Sequence, residues 1–256
     1  MSLLIDADYI VYKCCAAAES EIDFGDDVIV VTSKFSEAYR LVERDLQNIA
    51  NDIGVFDSSI LFFSDSVNFR KRLDPAYKGH RNRKKPCGYK RVINKLKEDY
   101  QVVIMPTLEA DDALGIWATK APYEHIICSP DKDMRQIPGH LYNFTDAVET
   151  ITAEDARNWH FIQTLAGDQT DGYSGVPGIG IKRAVALFEE KGYTWETVRD
   201  AFDSKGLGED IALLNARLAK ILQVEDYDFS KECVIPWTPR TDDQPDNGAG
   251  VQDEAD

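Results

Sequence analysis

Acidic residues fall in five separated clusters along this chain: Asp6 with Asp8, Asp65, Glu109 with Asp111 and Asp112, Asp131 with Asp133, and Asp168 with Asp171. Nearly all stand where an apolar run ends or in the turn that follows it. Carboxylates gathered in one place repel one another and resist ionisation unless a cation sits among them. A hard divalent ion, Mg²⁺ or Mn²⁺, suits such a set, because it prefers oxygen ligands and keeps waters for chemistry.

The elements that must position these acids read as strands alternating with helices. LLID (3–6), SILFFSD (59–65), VVIM (102–105) and EHIICS (124–129) are short apolar runs, and VIVVTS (28–33) reads as a strand or a strand-like turn. Phe35, Ala38, Leu41, Val42, Leu46, Ile49 and Ile53 keep helical spacing behind Ser33, a candidate cap. Helices are also expected through Val92, Ile93 and Leu96 and over EADDALGIWATKA, with a short turn at 131–136. The fold class expected is α/β, a mostly parallel sheet with helices on both faces, whose ligands bind beyond the carboxyl ends of the strands. From about Thr152 only helices are expected, over 153–166, 181–190, 195–202 and 210–224.

Composition and charge narrow the function. The net charge is −16 at pH 7, yet Arg70–Arg91 holds ten Lys or Arg and one acid, Asp74, a local charge of +9. That segment is a candidate nucleic-acid contact inside an acidic protein. From Pro236 onward six acids and one Arg stand among Pro and Gly with no apolar period, which reads as a disordered acidic tail. Five cysteines without a CxxC pair and four scattered histidines point to reduced thiols and no structural zinc. No apolar run is long enough for a membrane span, and MSLLIDADYI lacks the features of a signal peptide, so a cytoplasmic protein with no membrane partner is expected.

GDQTDGYSGVPGIGIKRA (167–184) joins two expected helices. Gly175, Gly178 and Gly180 make a tight turn that opens into a helix bearing Lys182 and Arg183. Backbone amides at a helix start suit a phosphate, and such a hairpin grips a nucleic-acid backbone without reading bases.

LLIDADYI, FFSDSVNFRKRLDPAYKGHR, LEADDALG, SPDKDM and GDQTDGYSGVPGIGIKRA, in that order over roughly residues 3–190, resemble the 5′-nuclease superfamily of flap endonucleases and 5′-3′ exonucleases, in its small phage-type form. The resemblance implies a nuclease domain over 1–150 with a basic arch or clamp at about 70–91, and a helical subdomain over 151–235 with a helix-hairpin-helix-like element at about 165–190. The tail is 236–256. It implies Mg²⁺-dependent hydrolysis of DNA phosphodiesters at 5′ ends, flaps or junctions, by two ions for which Mn²⁺ can substitute, with K⁺ a further candidate at the hairpin. RNA–DNA hybrid as a substrate, primer removal and DNA processing in phage replication, and a monomeric state are implied as well. Asp6, Asp65, Glu109 and Asp111 would surround one ion, and Asp112, Asp131, Asp133, Asp168 and Asp171 would line or neighbour the second, with Asp8 outside the ligand set. Lys78, Arg81 and Arg70 would stabilise charge in the transition state. Arg83, Lys84, Lys85, Lys90 and Arg91 would contact phosphates, Tyr77 or Tyr89 is a candidate for stacking on an unpaired base, and the acidic tail for competing with DNA or contacting a replication protein.

Taken singly, each signal has a plainer explanation. A DxD is usually a turn or cap, vicinal acids at a helix start complement its dipole, and GVPGIG is an ordinary tight turn; their joint occurrence in one order is what such explanations leave out. Two other functions stay open from sequence. A haloacid-dehalogenase-like phosphatase would use Asp6 as nucleophile but leave Asp65, the EADD cluster, the basic run and GVPGIG idle. A non-catalytic DNA-binding module would make the acids structural. A PIN-type ribonuclease shares the chemistry but has no need of the hairpin.

Overall fold

A computed structural model describes residues 1–55, 58–81, 84–240 and 243. The described chain divides into two compact units, one of Met1–Arg157 with Ile221–Ile235, the other of Asn158–Lys220 with the described residues after Ile235.

The first unit is built on a six-stranded sheet of order β5-β4-β1-β6-β7-β8, from β1 (Ser2–Asp6), β4 (Ser59–Phe62), β5 (Gln101–Val103), β6 (His125–Cys128), β7 (Gly139–Tyr142) and β8 (Glu149–Ile151). All pairings are parallel except that of β7 with β8. β1 lies centrally, and Leu3, Leu4 and Ile5 are fully buried, since a parallel strand covered on both faces has no use for alternation. On one side Leu3 and Ile5 pack with α1 (Ala7–Ala17), α2 (Phe35–Ile53) and α4 (Tyr89–Asp99). On the other, Leu4, Ile60, Phe62 and Ile127 pack with α5 (Ala110–Lys120). A four-residue helix, α3 (Arg70–Leu73), opens the basic segment.

Several expectations need correction. Residues 28–33 do form a strand, β3 (Ile29–Ser33), but it pairs antiparallel with a strand not foreseen, β2 (Glu19–Asp23), in a separate hairpin. ESEID carries three acids and one apolar residue, so it gave no strand signal. Ser33 pairs with Glu19 inside that ladder and does not cap α2; Lys34 stands at the cap position without a side-chain bond. β7 and β8 were not foreseen because both are short, and β8 closes the sheet at its edge. The region after Thr152 is not purely helical either: β9 (Tyr227–Asp228) pairs with β10 (Cys233–Val234), and Ile221, Leu222 and Tyr227 bury in the first unit's core. The 151–235 boundary therefore moves, with 221–235 returning to the sheet unit.

The second unit takes up the later part of α6 (Ala153–Ala166) and continues with α7 (Ile181–Lys191), α8 (Trp195–Asp203) and α9 (Gly208–Ala219). Its core is Phe161, Leu165, Phe188, Trp195, Val198, Phe202 and Trp237. Trp237 corrects the reading of a tail disordered from Pro236. It is buried, its ring meets those of His160 and Trp195 edge-on, and its carbonyl accepts from Arg217 Nε at 3.0 Å. One large aromatic is enough to anchor a segment that composition alone marks as polar.

Candidate active site

Parallel register sets the first acids side by side. Ile5 faces Cys128 on one side and Asp6 faces Phe62 on the other, so the turns leaving β1, β4 and β6 share one end of the sheet. Asp6 caps α1 by accepting from Tyr9 N at 3.3 Å, and its other oxygen accepts from Ser129 Oγ at 3.0 Å. Asp131 caps a short 3-10 helix, accepting from Asp133 N at 2.9 Å. Glu109 stands at the N-cap of α5, with Asp111 in its first turn.

Their electrostatics mark a strained carboxylate group. Burial, then the charge of Asp8 and, more weakly, that of Asp131, push Asp6 up to about 6, against the Tyr9 and Ser129 hydrogen bonds. Asp111 is raised well above the carboxylate range by burial and by Asp6, Asp131 and Glu109. Burial would raise Glu109 too, but the Lys78 and Arg70 cations overcome it and hold it at about 2. Lys78 Nζ lies 2.5 Å from Glu109 Oε1, while Oε2 accepts from Tyr77 Oη at 3.0 Å and Arg70 Nη1 at 3.3 Å. Lys78 adopts φ +51, a left-handed backbone that a lysine takes only when its surroundings impose it.

Other expected site residues are placed differently. Asp112 is fully buried, and both its oxygens meet Arg70, at 2.7 Å each, in a bidentate pair; Leu222 N adds a hydrogen bond at 3.2 Å. With its lone pairs so used, Asp112 does not fit a metal ligand. Arg70, 1% exposed, is a buried brace between α3 and α5 and not a cation open to substrate. Tyr77 is buried and cannot stack on a base. Asp65 accepts from Thr107 N at 2.8 Å and Ser66 N at 2.6 Å, and these bonds, Thr107 foremost, hold its carboxyl below the usual range. Asp133 pairs with Lys132 at 3.4 Å. Arg81, Lys84, Lys85, Lys90 and Arg91 are exposed, whereas Arg83 lies outside the described residues. Among the described residues, no three acidic, histidine or cysteine side chains form a ready-made coordination shell. Asp111 senses the charge of Asp6, and both sense that of Asp131, so added positive charge there would relieve mutual repulsion.

The second unit holds the last acid pair. Asp168 Oδ1 accepts from Thr170 N at 2.7 Å and Asp171 N at 3.3 Å, closing a turn that a bridge with Tyr173 continues. Here Gly167 and Gly175 cross so closely that a Cβ on Gly167 would lie 2.5 Å from Gly175 N, and one on Gly175 2.4 Å from Gly167 N. Asn215 Oδ1 secures Gly175 N at 3.0 Å. The loop then turns through Gly178 and Gly180 into α7, with Arg183 Nη1 bound back to Gly178 O at 2.7 Å. Lys182 and Arg183 are exposed. A groove of about 320 Å³ beside this turn is lined by Arg183, Lys191 and Lys205; the last two had no motif to reveal them.

Comparison with known proteins decides the family. The model of the 5′-3′ exonuclease N-terminal resolvase-like domain matches residues 1–160. The chain belongs to that family, as a phage-type 5′-nuclease. It is 28% identical to the exodeoxyribonuclease of Enterobacteria phage T3 and 28% to the exonuclease of Escherichia phage T7, each match covering 93% of both chains. The fold matches that of the phage T5 5′-exonuclease in structures with bound metal ions, at TM-scores of 0.65 and 0.62 and 15% and 17% identity, over 86% and 85% of this chain and 89% and 88% of those. This nuclease is thus an enzyme of phosphodiester hydrolysis on an α/β fold with a mostly parallel sheet, and among its described residues no helix is long and apolar enough to cross a membrane.

Sequence reasoning missed the partners of the acids. Ser129, Ser64, Tyr77 and the Asp112–Arg70 pair could have been suspected only from their adjacency to motif acids, a signal too common to weigh.

Proposed function

We propose that this nuclease hydrolyses DNA phosphodiesters at 5′ ends and at flap or single-strand/duplex junctions, with Mg²⁺ as its cofactor and Mn²⁺ able to replace it. The observation that carries this reading is the buried carboxylate group around Asp6 and Asp111, whose protonation is favoured until positive charge arrives. The T5 neighbours with divalent ions, and one described as a complex with DNA and metal ions, support it. Bound divalent ions supply an acidified water and compensate the charge gathering on the scissile phosphate.

Each residue has its own task. Asp6, Asp111 and Asp131, with Glu109 and Asp65, would hold the cations; Asp168 and Asp171 are proposed as further metal-binding carboxylates, and the expectation of two ions rests on the family resemblance. Ser129 and Tyr9 orient Asp6. Lys78, which neutralises Glu109 here, is proposed to stabilise the negative charge of the scissile phosphate. Arg81 would share the task of Lys78, and the exposed Lys84, Lys85, Lys90 and Arg91 of the proposed arch at about 70–91 would grip the strand by phosphate contacts. Gly178, Gly180, Lys182 and Arg183, in the helix-hairpin-helix-like turn, grip a duplex backbone, with K⁺ a candidate occupant. RNA–DNA hybrid as a second substrate, and a role in primer removal during phage replication, belong to the same reading.

Cleavage of 5′-labelled blunt, flap and gapped duplexes, with Mg²⁺ and with chelator, tests it. Metal-dependent products that disappear in Asp131→Ala are expected, and their lengths separate junction cutting from stepwise trimming. Equal cleavage by the variant, or cleavage in chelator, would refute the assignment.

A further inference from the structure

Asp8, the second acid of the first cluster, ties three elements together. Its Oδ2 accepts from Ser64 N at 2.8 Å, just past β4, and its Oδ1 accepts from the Tyr89 hydroxyl at 2.6 Å, at the start of α4. Tyr89 is buried, and above its ring stands an exposed cation: Lys85 Nζ is 4.5 Å from the Tyr89 centroid, 3.4 Å from its hydroxyl oxygen and 5.8 Å from the Tyr12 centroid. Because the Tyr89 proton goes to Asp8, its oxygen lone pairs are left to accept from Lys85. The chain between the two is fixed as well. Cys87 N donates to Glu19 Oε1 at 2.7 Å, and Gly88 takes φ +79 to begin the helix.

A freely solvated lysine has neither two aromatic faces nor a hydroxyl to rest on. Lys85 is held, and it is held beside the carboxylates, since Tyr89 senses the charges of both Asp8 and Asp6. A phosphodiester approaching those acids meets repulsion that a fixed cation on its flank would offset. Lys78 supplies such a cation on the Glu109 side; Lys85 stands on the Asp8 side.

We propose that Lys85 is a specific binding residue for a phosphate of the cleaved strand, next to the scissile bond, and that Tyr89, oriented by Asp8, is the residue that positions it. The inference rests on the nuclease reading above and gives Lys85 a defined place within the basic segment. Tyr89 acts through Lys85 and does not itself stack on a base.

The test is fluorescence anisotropy of a labelled 5′-flap DNA in chelator, across a salt series, so that binding is read without turnover. Lys85→Ala is expected to bind about 5- to 10-fold more weakly at low salt, and to lower the slope of log K against log salt by about 0.7, one phosphate contact on a single strand. Lys85→Arg should restore both. Tyr89→Phe, which keeps the ring and volume but loses the hydroxyl, should weaken binding part of the way, and should cost nothing further in the Lys85→Ala background. An unchanged salt slope in Lys85→Ala would overturn the phosphate contact. An equal loss from Tyr89→Phe in both backgrounds, or a lowered melting temperature with unchanged DNA binding, would overturn the positioning role and make Tyr89 structural. Failure of the wild-type protein to bind any DNA would instead bring down the nuclease reading itself.

Discussion

Asp6→Asn should make the metal-free protein more stable at neutral pH while abolishing turnover. The Asp6 carboxyl is displaced from 3.8 to about 6, chiefly by burial and then by Asp8. That displacement corresponds to about 3 kcal/mol. The sign follows from linkage: with the folded value above the unfolded one, the stability tied to Asp6 is fully present below pH 3.8 and is lost as pH rises through about 6. Above that, the folded protein bears the whole cost of an ionised, buried carboxylate. Asparagine keeps one acceptor oxygen for Tyr9 N, so the α1 cap survives; its amide nitrogen would meet Ser129 Oγ as a donor, with the serine hydroxyl turning to accept. Urea melts in chelator at pH 4 and pH 8 measure the difference. Asn should be close to wild type at pH 4 and more stable by up to about 3 kcal/mol at pH 8, a rise in melting temperature of about 6–10 °C for a unit of this size. Saturating Mg²⁺ should stabilise the wild type, by about 2.7 kcal/mol at a hundredfold excess over its dissociation constant, and the variant much less. A variant less stable than wild type at pH 8, or a difference indifferent to pH, would refute the account of the site as a strained carboxylate group.

Three further outcomes follow from the geometry. Arg70→Met should cost about 3–5 kcal/mol, because it strands a fully buried Asp112, whereas the number of bound Mn²⁺ ions measured by equilibrium dialysis should not change if Asp112 is no ligand. Lys78→Ala should lower kcat about a hundredfold with a smaller change in KM, and an effect confined to KM would move Lys78 among the simple phosphate contacts. Asp168→Ala should stop turnover while flap-DNA affinity in chelator stays within about twofold of wild type, and residual cleavage would remove Asp168 from the metal-binding set.

How much of this was legible beforehand depended on the kind of signal. Buried parallel strands announce themselves, since LLID, SILFF and HIIC carry apolar residues on both faces and reach an acid at their end or within the next three residues. The β2–β3 hairpin did not, because most of it is exposed and its first strand is polar. Trp237 stood alone in a polar stretch, so its burial against Trp195 and His160 had no periodic pattern to reveal it. Arg70 and Asp112 were marked by their motifs as active-site groups. A motif fixes proximity to the site but not the direction in which a side chain points, and these two point at each other inside the core.

From the order of its residues alone, this chain determined its family, its parallel-sheet architecture and the inventory of acids and cations available to its chemistry, because strand burial, turn chemistry and motif order are local properties written into short stretches. Which of those charges face each other was decided only in three dimensions. Asp6 beside Ser129, Lys78 on Glu109, Arg70 on Asp112 and Tyr89 on Asp8 join residues from different strands, helices and loops. Pairing energies depend on distance and burial, and neither quantity exists until the sheet has brought its turns together.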